Sequence, residues 1–187
     1  MHVITGELFM KVTALVGSPR KKGNTDLLID KILEGAKNVG SSTSKIYLYG
    51  QTILPCADCR KCFKALKCQE NDDMQKIYQE IDDSDVIIFG TPVYWYTMSA
   101  VMKLLVDRLR PYTVNNKLKG KRAVLVIPSD EGPKACMDLI KIFANIFETL
   151  GMQLVDNLCV KAHERGEVGK QPESLEKAYR IGESIGK

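Results

Sequence analysis

The chain has little histidine, a single tryptophan and no long apolar run, and each scarcity removes a class of function. Its two histidines are His2 and His163. Neither is expected in a loop that closes a strand at a ligand site, which leaves a histidine-based nucleophilic triad without its base. No apolar stretch approaches the roughly 18 to 20 residues that cross a bilayer, and no signal-peptide pattern opens the chain. Twenty-seven basic residues against 23 acidic ones leave a net charge of +4. That charge is spread out, with no stripe or tail, which argues against nucleic acid and membrane as partners. Repeats, low-complexity tracts and linkers are absent as well. With 187 residues and 44% hydrophobic content, one sizeable core is expected, and a single domain over residues 1–187. Residues 1–9 precede a second methionine, Met10, and read as an extension without a function.

Cysteine is where the chain is rich. Cys56, Cys59, Cys62 and Cys68 crowd the run CADCRKCFKALKC. Four soft, anionic ligands within reach of one centre favour an iron-sulfur cluster over any harder cation. Zinc ranks second, since zinc knuckles usually pair two CxxC units across a longer insert. A structural disulfide among the four ranks third, because a reducing cytoplasm is the expected compartment. Cys136 and Cys159 fall at core positions of a helix and a strand and read as buried apolar residues.

Short runs rich in Val, Ile and Leu recur at Lys11–Gly17, Ser44–Tyr49, Asp85–Gly90, Arg122–Ile127 and Gln153–Val160. The first, third and fourth are continuous rather than alternating, as strands covered on both faces should be. Helical spacing lies between and after them, at about Thr25–Asn38, Asp72–Ile81, Met98–Arg110, Pro133–Leu150 and Glu173–Ile185. Asn24 and Thr25, then Asn71 and Asp72, can cap the first two helices, and Pro111 stops the third. The alternation predicts an α/β fold: five parallel strands in an open, doubly wound sheet.

Loops at the C-terminal ends of parallel strands share one edge, where open α/β sheets bind ligands. Four loops should therefore form one site: Gly17–Asn24, Gly50–Asn71 with the cysteines, Gly90–Thr97 and Pro128–Gly132. The first joins a buried strand to a helix, where free N–H groups and the helix dipole favour a phosphate, with Ser18, Asn24, Thr25 and Arg20 as added donors. It is neither a Walker A loop nor GxGxxG. The third, Pro92-Val93-Tyr94-Trp95-Tyr96, offers apolar faces to a planar ring. The fourth, with Ser129, Asp130 and Gly132, suits approach from the other side. Read alone, each of these loops is also an ordinary polar turn or packing cluster.

In GSPRKKGNT, CADCRKCFKALKCQENDDM and DVIIFGTPVYWYTMSAVMKLLVDR, the chain resembles the flavodoxin-like NADPH-dependent FMN reductases, and among them the iron-sulfur flavoproteins. The likeness covers about the first 110 residues. It implies a three-layer sheet of order 2-1-3-4-5 binding FMN. By resemblance, Ser18, Arg20, Asn24 and Thr25 would hold the phosphate, Pro92, Val93, Tyr94, Trp95 and Tyr96 would border the ring, and Ser129, Asp130 and Gly132 would follow. Cys56, Cys59, Cys62 and Cys68 would ligate a four-iron four-sulfur (4Fe-4S) cluster. The family forms dimers or tetramers, for which Asp107 and Arg108 are candidate packing residues, although a local ion pair explains them equally well.

The first expectation is an FMN-dependent electron-transfer protein of the cytoplasm. Arg60, Lys61, Lys64 and Lys67 would dock an acidic carrier such as ferredoxin, or form only a solvated basic face. The second is an NAD(P)H-dependent reductase of flavin, quinone or another small acceptor, without a cluster. The third, a zinc knuckle that recruits a partner, leaves the phosphate and aromatic loops without a role.

Overall fold

The computed structural model describes residues 10–187, so the reading of residues 1–9 lies outside them. One parallel sheet holds β1 (Lys11–Val16), β2 (Ser42–Tyr47), β3 (Val86–Gly90), β4 (Arg122–Ser129) and β5 (Gln153–Lys161). Their order is β2-β1-β3-β4-β5, as expected. The central strands KVTALV, VIIFG and RAVLVIPS are buried almost throughout because helices cover both faces. β2 and β5, at the edges, carry the polar residues.

β4 runs two residues further than expected, through Pro128. The carbonyl of Val126 points toward the β3 side, where it accepts from the Thr91 N–H at 2.9 Å. By alternation Pro128 points the same way. Because β3 ends at Gly90, opposite Val126, no ladder bond is lost there.

Helices α1 (Asn24–Asn38) and α7 (Pro172–Ile185) cover one face, while α3 (Met74–Asp83), α4 (Ala100–Arg108) and α6 (Pro133–Leu150) cover the other. Between these elements, α2 (Cys62–Ala65) and α5 (Tyr112–Asn115) are single turns. On the first face Val12, Ala14 and Val16 pack with Leu28, Ile29, Ile32 and Ile181. On the second, Leu15, Ile87 and Phe89 pack with Met102, Leu105, Phe143 and Phe147. α1 and α7 cross backbone to backbone: a Cβ on Gly35 would strike the Tyr179 carbonyl, and one on Gly182 the Ile32 carbonyl. This seating fixes α1, whose N-terminus opens onto the ligand edge of the sheet.

Helix starts differ from expectation where the capping side chains have other partners. Gly23, without a side chain, precedes α1. Asp72 does accept the Met74 N–H at 3.0 Å, but α3 begins only at Met74. α4 begins at Ala100 behind Ser99, whose Oγ accepts from the Met102 N–H. It ends at Arg108, and Pro111 leads into α5.

Candidate functional site

Parallel strands leave their last carbonyls and the following N–H groups without ladder partners, and here the loops satisfy one another. The Gly17 N–H donates to the Gly90 carbonyl at 2.7 Å. The buried Ser99 hydroxyl donates to the Gly17 carbonyl at 2.6 Å, while the Ser99 N–H reaches the Thr91 hydroxyl at 3.0 Å. The β1 and β3 loops are thereby locked together. Asn24 donates to the Glu164 carbonyl at 2.8 Å and accepts from the Val168 N–H at 3.2 Å. Ala162 N–H donates to the Ser129 carbonyl at 2.9 Å, and His163 Nδ1 lies 3.2 Å from an Asp130 carboxylate oxygen.

The loop after β5 therefore joins the same rim, which corrects the expectation that His163 lies outside it. The parallel-sheet rule used for the other loops applies equally to the fifth strand and was the signal available for it.

Beneath the first loop, the buried Asp26 carboxylate accepts the Lys22 N–H at 2.6 Å, the Lys45 ammonium at 2.9 Å and the Tyr47 hydroxyl at 2.8 Å. Burial alone would raise its pKa, but these three donors outweigh burial and hold it below the ordinary 3.8. The pairing also cancels an anion in the first turn of α1. Arg20, exposed at the mouth, forms no ion pair among the described residues.

A cavity of about 220 Å³ gathers Ser18, Arg20, Asn24, Thr25, Pro92, Val93, Tyr94, Pro128, Ser129, Asp130, Ala162 and His163. A second of about 220 Å³ adds Trp95, Tyr96, Glu131 and Ala135, and shares Val93, Ser129 and Asp130 as a common wall. Gly132, at φ 73°, turns the chain into α6 behind that wall. Three of the four expected loops thus converge. The β2 loop reaches the rim only through Tyr49, Gly50 and Gln51, in an adjoining space of about 590 Å³ that also touches Ser18. That larger space lacks the Arg20, Asn24 and Thr25 side chains, so its size does not make it the better phosphate site. None of the four loop cysteines lines either rim cavity.

Tyr94 and Thr97 exchange backbone bonds at 2.9 and 3.1 Å, closing a two-residue hairpin over Trp95 and Tyr96. Both sit at positive φ, 49° and 65°, positions that such turns usually give to Asn and Gly. Their rings are 93% and 69% exposed, so no core packing accounts for two bulky residues in this backbone.

The cysteine loop has a closed neck. Asp73 accepts the Thr52 N–H, Asp72 accepts the Leu54 N–H, and the Asp73 N–H returns to the Thr52 carbonyl. Its anchor is Arg108, only 2% exposed. Its guanidinium grips both carboxylate oxygens of Asp72, donates to the Leu54 carbonyl at 2.8 Å and reaches Cys68 Sγ at 3.4 Å. Its Nε is buried without a partner among the described residues. Burial favours the neutral acid, but Arg108 outweighs it and holds the Asp72 carboxyl below its ordinary value. Asp107 pairs with Lys103 at 2.7 Å on the exposed face of α4, whereas Arg108 is turned inward and held by Asp72. Cys56, Cys59, Cys62 and Cys68 are free thiols, and burial pushes that of Cys62 up. Among the described residues, no three His, Cys, Asp or Glu side chains gather as a ligand set. Cys136 and Cys159, expected as separate core residues, are core but bonded to each other.

The model of the NADPH-dependent FMN reductase family matches residues 10–166. The chain belongs to that family. It is an FMN-dependent oxidoreductase with a flavodoxin-like fold. An iron-sulfur flavoprotein of Methanocaldococcus jannaschii is 34% identical over 94% of this chain and 95% of its own length. Another from Archaeoglobus fulgidus is 30% identical over 94% of this chain and 79% of its own. Among solved structures, the NAD(P)H:quinone oxidoreductase of Methanothermobacter marburgensis shares the fold with a TM-score of 0.74. The superposition covers 94% and 96% of the two chains at 16% identity.

Three outcomes follow from the loop neck and the rim of this FMN reductase. Replacing Arg108 by Met strands the Asp72 carboxylate in the interior, so urea unfolding should show a loss of about 3–5 kcal/mol. Adding Asp72→Leu should restore part of it. Replacing Trp95 by Asn together with Tyr96 by Gly should raise stability by about 1–2 kcal/mol, because the backbone strain is relieved and little burial is lost. The same pair should weaken FMN retention, measured by quenching of flavin fluorescence on titration of the apoprotein.

Proposed function

We propose that this FMN-dependent oxidoreductase is an iron-sulfur flavoprotein that passes electrons between a soluble partner, a 4Fe-4S cluster on Cys56, Cys59, Cys62 and Cys68, and FMN on the rim. The observation that carries this reading is the anchoring of a four-thiol loop by a buried guanidinium that reaches one of the sulfurs. N–H donors and positive charge near sulfur suit an anionic cluster. The curated relatives bearing the iron-sulfur flavoprotein name support it. The thiols are not gathered into one ligand set, so holding a cluster requires the loop to close on it within its fixed neck.

For the flavin, the rim residues fit a phosphorylated planar ligand. Ser18, the exposed Arg20, Thr25 and the first N–H groups of α1 meet the phosphate, together with the amide hydrogen that Asn24 has left after binding Glu164. Pro92, Val93, Tyr94, Trp95 and Tyr96 flank the ring on one side, and Ser129, Asp130 and Gly132 close the other. FMN supplies hydride and single-electron chemistry when bound. The protein's part is to orient it, cover it and leave one edge open.

Exposed Arg60, Lys61, Lys64 and Lys67 surround the cysteines. They make an acidic carrier of the ferredoxin type the favoured partner, with NAD(P)H as the other donor. A reducing, cytoplasmic compartment suits four free thiols. A homodimer or homotetramer would cover the exposed Trp95 and Tyr96. The ungathered thiols favour a second reading, an NAD(P)H-dependent FMN or quinone reductase without a cluster.

Anaerobic purification decides between the two. Equimolar FMN with iron and sulfide each in fourfold excess over the chain is the expected composition. FMN without iron would establish the cluster-free reductase, and zinc without FMN would sink both. Electron transfer from a reduced acidic carrier should slow steeply as salt rises, and a flat response would remove electrostatic docking at the lysine-rich loop.

A further inference from the structure

We propose that Cys136 and Cys159 form a second redox site, a dithiol/disulfide pair that exchanges with low-molecular-weight thiols through the groove along β5. It stands apart from the flavin and cluster reading and shares with it only the reducing compartment. The two sulfurs are bonded, with their Cα atoms 6.3 Å apart, while the four loop cysteines stay free. That separation lies within the range disulfides use.

The two halves differ in access. Cys136, on the first turns of α6, is fully buried. Cys159, on the edge strand β5, is partly exposed and lines a groove of about 560 Å³. Lys161 and Lys177 line the same groove and favour the approach of a thiolate. Glu167 and Glu173 also line it, but Glu167 is occupied by the N–H groups of His163 and Glu164. In a reducing compartment, a protein disulfide is usually one that is made and broken in use.

In the reducing direction, an external thiolate attacks Cys159 Sγ. A mixed disulfide forms there, the bond to Cys136 breaks, and Cys136 leaves as a thiolate that takes a proton from water. A second thiolate attacks the external sulfur of the mixed disulfide and releases Cys159. The sum is one protein disulfide and two small thiols converted to two cysteine thiols and one small disulfide.

The bond joins α6, which follows Ser129–Gly132, to β5, which precedes Ala162 and His163.

The test holds the folded wild-type protein in monothiol/disulfide buffers, traps free thiols and maps tryptic peptides without reduction. The link between residues 135–141 and residues 142–161 should dominate in disulfide-rich buffer and fall by about ten-fold or more in thiol-rich buffer, with circular dichroism unchanged. In Cys136→Ser, Cys159 should take up the small thiol about ten-fold faster than Cys136 does in Cys159→Ser. Free thiols at both positions in every buffer would overturn the proposal. So would a link that survives thiol-rich buffer until denaturant is added, or equal uptake by the two variants. If either variant fails to fold, the wild-type buffer series decides alone.

Discussion

All of this chemistry depends on parallel pairing with β1 beside both β2 and β3. The pairing sends every strand's C-terminal end to one edge. The order sends α1 and α4, which follow β1 and β3, to opposite faces, and a crevice opens between their N-termini. A crevice of loops carries unsatisfied backbone groups, and here neighbouring loops satisfy them. Ser99 couples the β1 loop to the β3 loop, Asn24 couples it to the β5 loop, and Ala162 couples the β5 loop to Ser129. These are short, mostly buried bonds between segments far apart in sequence. The rim therefore behaves as one object, and moving one loop disturbs the others.

The cysteine loop is held differently. It hangs from β2, which has one strand neighbour among the described residues, and its position rests on Arg108 reaching across from α4. A buried guanidinium is expensive unless paired, and this one is paired with Asp72 at the loop's neck. The arrangement fixes the neck and reaches one sulfur, that of Cys68, while Cys59 stands exposed at the tip. A neck fixed independently of the sulfurs is what the cluster reading proposed above would ask of this loop.

Much of the fold was legible because burial on both faces leaves continuous apolar runs. KVTALV, VIIFG and RAVLVI announced the three central strands, and the loops after them followed from the parallel rule. What was not legible involved partners distant in sequence. Asn24 looks like a helix cap until Glu164 and Val168 arrive beside it. Asp107-Arg108 looks like a surface ion pair until Asp72 claims the arginine and Lys103 the aspartate. Cys136 and Cys159 each fit an apolar pattern, and that pattern says nothing of their meeting. Nor does aromatic content reveal that Trp95 and Tyr96 occupy left-handed backbone.

That backbone carries a further step. Seven described residues other than glycine have positive φ, and six of them, Lys22, Asp58, Arg60, Leu66, Trp95 and Tyr96, lie in the loops after β1, β2 and β3. Such residues cost about 1–3 kcal/mol each when bulky and persist only where surrounding structure enforces them. Apart from the αL end of a single helical turn at Leu66, regular structure does not demand them here. The strain is concentrated at the edge that the sheet topology reserves for ligands and is absent from the sheet and the long helices. A rim selected for stability alone would place Gly and Asn at these positions. On the FMN reading proposed above, Trp95 and Tyr96 are kept for the faces they would offer the ring, with the rigid core beneath making that strain tolerable.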